Sequence, residues 1–319
     1  MATTSVPAPP AAGPTGGRDR PARRLRLLTR QDRVVLALML GVPAILVLGI
    51  VWLPALGTVL LSFTNWNGIG PVSEIEFIGA RNYTDVVTTY PPFDTAIRNN
   101  ILFLVVLFLV ATPLGMFMAV LLDRELRGTT FYRSALYIPV VLSLALVGFI
   151  WQLIYSRDQG LLNAVLGLQG PDAIAWYGDP NVNIWAILVA SSWRHVGYIM
   201  LLYLAGLRGV DPSLKEAAAV DGAGQARTFF SVVFPVLRPV NIVVLVITVI
   251  EALRAFDIAW VVNKGRNGLE LLGTLVASNL IGEASLVGFG SAIATLLLAV
   301  STVFIVIYLV TILRGEEQR

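Results

Sequence analysis

The sequence predicts an all-α, polytopic membrane protein of six transmembrane helices, with a short polar helix in the loop between helices four and five. Three observations carry that prediction. The mean hydropathy is +0.76. Only 13% of the 319 residues are charged, against about 25% in an ordinary soluble chain. The apolar residues also gather into six stretches, each near the roughly 20 residues that a bilayer core requires. Backbone groups in hydrocarbon have no water to bond, so such stretches are helical. Six buried helices of a soluble bundle need flanks of ordinary charge density, which this chain lacks.

Residues 1–33 read as a disordered, basic N-terminal tail, rich at its start in Ala, Pro, Gly and Thr. The apolar run behind it is too long for a secretory signal, so it reads as an uncleaved first helix. That helix, 34–62, contains Pro43 and Pro54, which predict a tilt or kink. It leaves the bilayer at a turn with an interfacial Trp66. The loop that follows, to about Arg98, is too short for a separate sizeable domain. Helices two, three and four are expected at 100–122, 135–155 and 184–207, joined by a tight loop at 123–132 and a longer one at 156–183 with Trp176 and Tyr177. Loop 209–238 precedes helix five at 240–260 and a flexible turn at 263–268. Residues 269–282 read as a short helix at the interface or inside the protein. Helix six, 289–313, closes a transmembrane domain over 34–313, leaving a C-terminal tail at 314–319. No internal repeat is evident.

Basic residues set the orientation. With six crossings both termini share a side, and that side carries Arg18, Arg20, Arg23, Arg24, Arg26, Arg30, Arg33, Arg124, Arg127, Arg133, Arg208, Lys215, Arg227, Arg238, Arg314 and Arg319. The other carries Arg81, Arg98, Arg157, Arg254, Lys264 and Arg266. This places the termini and loop 209–238 in the cytoplasm of a cell-membrane protein. The pI near 9.3 reflects that bias and anionic lipid, not nucleic acid. The absence of cysteine removes disulfides, thiolate metal sites and Cys nucleophiles. One histidine leaves no His-based metal cluster, and no catalytic, cofactor or metal site is expected.

Loop 209–238 has strong local helix signals. Asp211 and Pro212 suit an N-cap and first helical residue. One register along, Ser213 to Glu216 fits a capping box. Ala217, Ala218 and Ala219 favour helix with almost no bulk. Leu214, Ala217, Ala218 and Asp221 share one small face. Gly222 and Gly224 permit a sharp turn, and Pro235 marks the bend into helix five. On the residues alone, this is either a capped surface helix joining two spans or a docking element for a soluble partner.

The run Glu216-Ala217-Ala218-Ala219-Val220-Asp221-Gly222-Ala223, followed at fixed spacing by Val232, Phe234 and Pro235, resembles the EAA loop of binding-protein-dependent ABC importer permeases. Its fuller form is similar to the carbohydrate-uptake branch, the maltose and glycerol-phosphate type. Val232 and Phe234 stand where Ile and Leu are more usual, and keep the apolar character. Tyr137-Ile138-Pro139, Ala205-Gly206-Leu207 and Ala255-Phe256-Asp257 are similar to the family as well, whereas 263–268 departs from its usual turn. The resemblance implies a coupling helix seated in a groove of a cytoplasmic ATPase, with Glu216, Ala217, Ala218, Asp221 and Gly222 as the docking surface and Pro235 closing the motif. It implies a permease subunit importing a sugar, with an oligosaccharide or α-glucoside among the candidates. The implied partners are a second permease subunit in a heterodimer, two ABC ATPase subunits, an extracytoplasmic solute-binding protein and the lipid bilayer. The chain has no Gly-x4-Gly-Lys-Ser/Thr, so ATP hydrolysis belongs to a partner and the chain is not an enzyme.

Polar groups inside the spans are the candidate translocation pathway. Arg194 and His195 fall near the middle of helix four, where a charge costs about 2.5–3.5 kcal/mol and must face a cavity or a partner. They read either as pathway lining or as structural groups bonded to carbonyls or a paired subunit. Glu251, Arg254 and Asp257 recur at three-residue spacing on helix five. Mutual charge pairing along that face is the simpler reading, and a gate or substrate contact the other. Trp151, Trp185, Trp193 and Tyr198 read chiefly as packing or interface anchors, with stacking on sugar rings as the alternative. Asn99, Asn100, Asn163 and Asn279 read as capping or solvated groups near helix ends. The rivals to a sugar permease are an ABC permease for a non-sugar solute and an ion-coupled secondary transporter. The second has no need of the loop motif and is expected to show inverted repeats.

Overall fold

A computed structural model describes residues 29–124, 128–281 and 286–316. The tail expected before Thr29 and residues 317–319 lie outside the described residues. In chain order the helices are α1 (Arg30–Leu61), α2 (Arg81–Thr88), α3 (Pro91–Asp123), α4 (Thr129–Val141), α5 (Leu144–Ile154), α6 (Leu161–Leu166) and α7 (Asn183–Arg208). Then come α8 (Pro212–Val220), α9 (Gln225–Val236), α10 (Arg238–Leu253), α11 (Asp257–Asn263), α12 (Leu272–Leu280) and α13 (Val287–Glu316). Among the described residues there is no strand, only one isolated bridge between Thr64 and Phe77.

The chain divides into two compact units, Met1–Pro54 and Ala55–Arg319. In the first, residues 30–54 are helical and none is buried. Helix begins at Arg30, inside the stretch read as tail. Thr29 and Asp32 form a capping box there, each bonding the other's backbone N–H at 3.2 and 3.0 Å.

Four helices are long and apolar enough to cross a bilayer: α1, α3, α7 and the Val287–Tyr308 part of α13. Two bent pairs bring the number to six if each pair is one span. The first is α4 with α5, bent by 105°. The sequence reads 135–155 as one uninterrupted helix. The chain instead leaves helix at Leu142, and the Ser143 hydroxyl accepts from Leu146 N at 3.2 Å to start α5 afresh. The second pair joins α9 to the α10–α11 stretch at 78°, where Leu237 interrupts the helix two residues before Pro239.

Prolines leave a regular signature. The backbone widens into π-turns at Leu48–Trp52, Leu107–Ala111 and Phe229–Val233, each ending two residues before a proline, Pro54, Pro113 or Pro235. In each, the residue before the proline donates five back: Leu53 to Leu48, Thr112 to Leu107, Phe234 to Phe229. A proline cannot donate and its ring crowds the carbonyl four back, so one wider turn relieves both problems.

Within the second unit, α3 and α7 pack closest. A Cβ at Gly115 would sit 2.8 Å from Val196 O and from Ile199 Cβ, so only glycine allows this approach. Around it lie two apolar clusters, one with Phe103, Leu107 and Ile187, the other with Ala119, Ile199 and Met200.

The four asparagines read as capping or solvated groups are buried brackets instead. Asn99 Nδ2 donates to Gly268 O and Glu270 O at 2.9 and 2.8 Å. Asn100 Nδ2 donates to Ala252 O at 2.9 Å, and its oxygen accepts from Leu272 N at 2.9 Å. Asn163 bonds Arg157 O, Ile174 O and the Trp176 indole, and Asn279 bonds Tyr90 and Leu275 O. Asn99, Asn100 and Asn163 satisfy backbone freed where a helix stops or a loop folds inward, which apolar surroundings otherwise penalise, while Asn279 ties its own helix to Tyr90.

Candidate functional site

Two sites emerge, one inside the bundle and one on loop 209–238. The inner site is built where α7, α10 and α3 meet. Arg194 Nη1 on α7 donates to Glu251 Oε1 on α10 at 3.0 Å, and the neighbouring His195 Nδ1 lies 2.6 Å from Glu251 Oε2. Both carboxylate oxygens are thereby committed. On its other side, His195 Nε2 is 3.3 Å from Thr112 Oγ1 and 3.2 Å from Thr248 Oγ1. Thr248 donates to Val244 O at 2.8 Å, which leaves its oxygen as an acceptor for the histidine or for Thr112.

This arrangement corrects the reading of Glu251, Arg254 and Asp257 as a self-paired face. Helix α10 ends at Leu253, and Arg254–Phe256 is irregular, so three-residue spacing does not stack these side chains. Glu251 turns to Arg194 and His195, while Arg254 and Asp257 have no ion pair among the described residues. Asn100 caps the α10 end by taking the Ala252 carbonyl, which stabilises the break.

The break opens a cavity of about 290 Å³. Arg194, Glu251, Arg254 and Asp257 line it with Ser191 and apolar residues including Phe103 and Phe256. His195 is absent from the lining and only 1% exposed, so it acts from behind, holding Glu251 in place. None of Trp151, Trp185, Trp193 and Tyr198 lines that cavity. Trp151 meets Trp193 edge to face at 5.8 Å and joins a packed group with Tyr155, Trp176 and Tyr177. Burial raises the Tyr177 phenol, in the loop between α6 and α7, above its ordinary value.

On the loop, Asp211 caps α8, its Oδ1 accepting from Ser213 N at 2.9 Å, and Pro212 takes the first helical position. The Ser213 backbone N–H, and then its hydroxyl, hold the Asp211 carboxyl below its usual value. The alternative register, with Ser213 as cap, is not used. Gly222 ends the helix at φ +74°, with Gly222 N bonded to Ala219 O at 3.0 Å and Ala223 N to Ala218 O at 2.9 Å. This pair of bonds is a Schellman motif, which needs the left-handed residue.

Glu216, Ala217, Asp221, Gly222 and Pro235 are exposed, whereas Ala218 is buried against its own chain. Leu214, Ala217, Ala218 and Asp221 do share a face. It borders a hollow of about 350 Å³ that Ala223, Arg227, Ser231 and Val232 also line.

Residues 111–315 match the family described as binding-protein-dependent transport system inner membrane component. The chain belongs to this family. The permease is similar to the trehalose/maltose transport system permease protein MalF of Thermococcus litoralis, 33% identical over 82% of this chain and 88% of that one. It is also similar to the xylose/arabinose import permease protein XacH of Haloferax volcanii, 30% identical over 86% and 87%. A bacterial alginate ABC transporter, solved in complex with an alginate pentasaccharide-bound periplasmic protein, shares the fold. The TM-score is 0.73 at 19% identity, over 87% of this chain and 93% of that one. Relatives are named as permease subunits, so the permease is a transporter component and not an enzyme.

Arg194, His195 and Glu251 stand out in the sequence, whereas the threonines that join them do not. Thr248 stands three residues before Glu251, on the same helical face, and that spacing was the available signal. Thr112 precedes Pro113 within a span and carries no comparable signal.

Proposed function

We propose that this permease is one membrane subunit of an ATP-driven importer for a sugar handed over by an extracytoplasmic binding protein. In this reading it crosses the membrane six times with both termini cytoplasmic, and pairs with a second permease and two ATPase subunits. The observation that carries it is the exposed, glycine-terminated α8 in a chain of this family that has no P-loop of its own. Relatives named for trehalose/maltose and xylose/arabinose support the solute class.

Helix α8 is the coupling helix. Glu216, Ala217, Asp221 and Gly222 present its docking edge, and Ala218 seats it on the permease's own chain. The π-turn before Pro235 is where the arm joins the bundle. Inside, Arg194 and Glu251 neutralise each other, while Arg254 and Asp257 offer a donor and an acceptor to solute hydroxyls in the cavity. Vesicles carrying the permease with its partner subunits test the reading. Uptake of labelled sugar should require ATP and the binding protein together. Uptake driven by an ion gradient without ATP would overturn it.

A further inference from the structure

The two arms of loop 209–238 are fastened to adjacent residues at one end of α3. Lys215 Nζ on α8 lies 3.1 Å from Asp123 Oδ2. Next along the chain, Arg124 Nη2 donates to Gln225 Oε1, at the start of α9, at 2.9 Å. The turn at Gly222 lies between these anchors, so α3 holds the segment on both sides of it. Helix runs without interruption from Thr112 to Asp123, about 16 Å at the α-helical rise, stiff enough to act as a strut. Eight residues before Asp123, Gly115 interlocks α3 with Val196 and Ile199 of α7. At its far end Thr112 meets His195 and Thr248, and His195 holds Glu251 in the cavity wall.

We propose that the Lys215–Asp123 ion pair fastens α8 to α3, so that displacement of α8 moves the α3–α7 unit and the Arg194–Glu251–His195 cluster with it. The proposal rests on reading α8 as the ATPase-docking helix. Lys215 and Asp123 are positioning residues, since neither lines the cavity. Their side chains are 41% and 25% exposed, so the pair contributes little to folding and its loss is read in coupling first. The Arg124–Gln225 bond remains in variants of the ion pair, so the loss is partial.

The test uses Lys215→Glu, Asp123→Lys and the double exchange, each assembled with the partner subunits in liposomes. The readout is solute moved per ATP hydrolysed. Each single reversal should lower that ratio about fivefold, the lower end of the usual range for coupling between sites. The exchange should restore roughly half of it or more, which a loss of fold at either position would not allow. Lys215→Gln, which removes charge without repulsion, should give a smaller loss and serves if a reversal fails to insert. Unchanged ratios in the single variants, or a loss that the exchange leaves uncorrected, would overturn the fastening while leaving the transporter reading standing. Absence of ATP-dependent uptake by the parental complex would overturn both.

Discussion

His195 Nδ1 lies 2.6 Å from Glu251 Oε2, so the only histidine of the chain is committed to a carboxylate on a different helix. The other oxygen of that carboxylate takes Arg194 at 3.0 Å. Glu251 therefore organises two donors from adjacent positions of α7, and both lose their partner if it is removed.

Glu251→Leu should destabilise the permease by about 3 kcal/mol, the lower end for breaking a buried pair. The lower end applies because Glu251 and Arg194 keep 28% and 20% side-chain exposure. Arg194→Leu added to Glu251→Leu should recover part of the loss, because an unmatched cation costs more than a removed pair. Thermal unfolding in detergent checks both. A double variant less stable than Glu251→Leu alone would contradict the account.

Arg254 and Asp257 have no ion pair among the described residues yet line the same cavity. Arg254→Gln and Asp257→Asn should therefore leave the unfolding temperature nearly unchanged. Each should weaken solute transport about tenfold, the effect of losing one charge-assisted hydrogen bond of about 1.4 kcal/mol. Initial uptake rates against solute concentration, measured beside the melting curve, separate this from a structural role. A large drop in melting temperature would move both residues to the structural side.

Gly222 holds φ at +74° with nothing within 4 Å of an added Cβ, so its demand is conformational and not steric. Asn tolerates that region, whereas a β-branched residue is an outlier there. Gly222→Asn should keep most uptake and Gly222→Val should lose most of it, with insertion intact in both. Equal activity of the two would remove the left-handed turn from the coupling geometry.

The apolar stretches are legible because hydropathy over about 20 residues needs no knowledge of neighbours, and four of them form helices long enough to cross a bilayer. The α8 turn was legible too, since Asp211-Pro212 and Gly222 act on their own backbone. The breaks at Leu142 and at Arg254–Phe256 were not, because an apolar stretch reads the same whether straight or bent. Three-residue spacing suggested that Glu251 pairs with Arg254, and it fails once the helix ends between them. Its true partners sit on α7, and Asn100 finds Ala252 from far along the chain. Contacts of that range leave no periodic trace.

The α3–α7 interlock gives the last prediction. A methyl group at Gly115 meets Val196 O and Ile199 Cβ at 2.8 Å each, and backbone of a neighbouring helix cannot give way as a flexible side chain can. Gly115→Ala should therefore cost about 1–3 kcal/mol, as overpacking does, although alanine is otherwise the better helix former. Gly57 is the control, since a Cβ there has nothing within 4 Å. At Gly57 the propensity gain of about 0.5–1 kcal/mol should appear with nothing against it. Opposite signs for Gly115→Ala and Gly57→Ala in the same unfolding assay are the expected result. If Gly115→Ala stabilised as Gly57→Ala does, α3 would not be held to α7 at this point, and the strut would lose its support near Thr112.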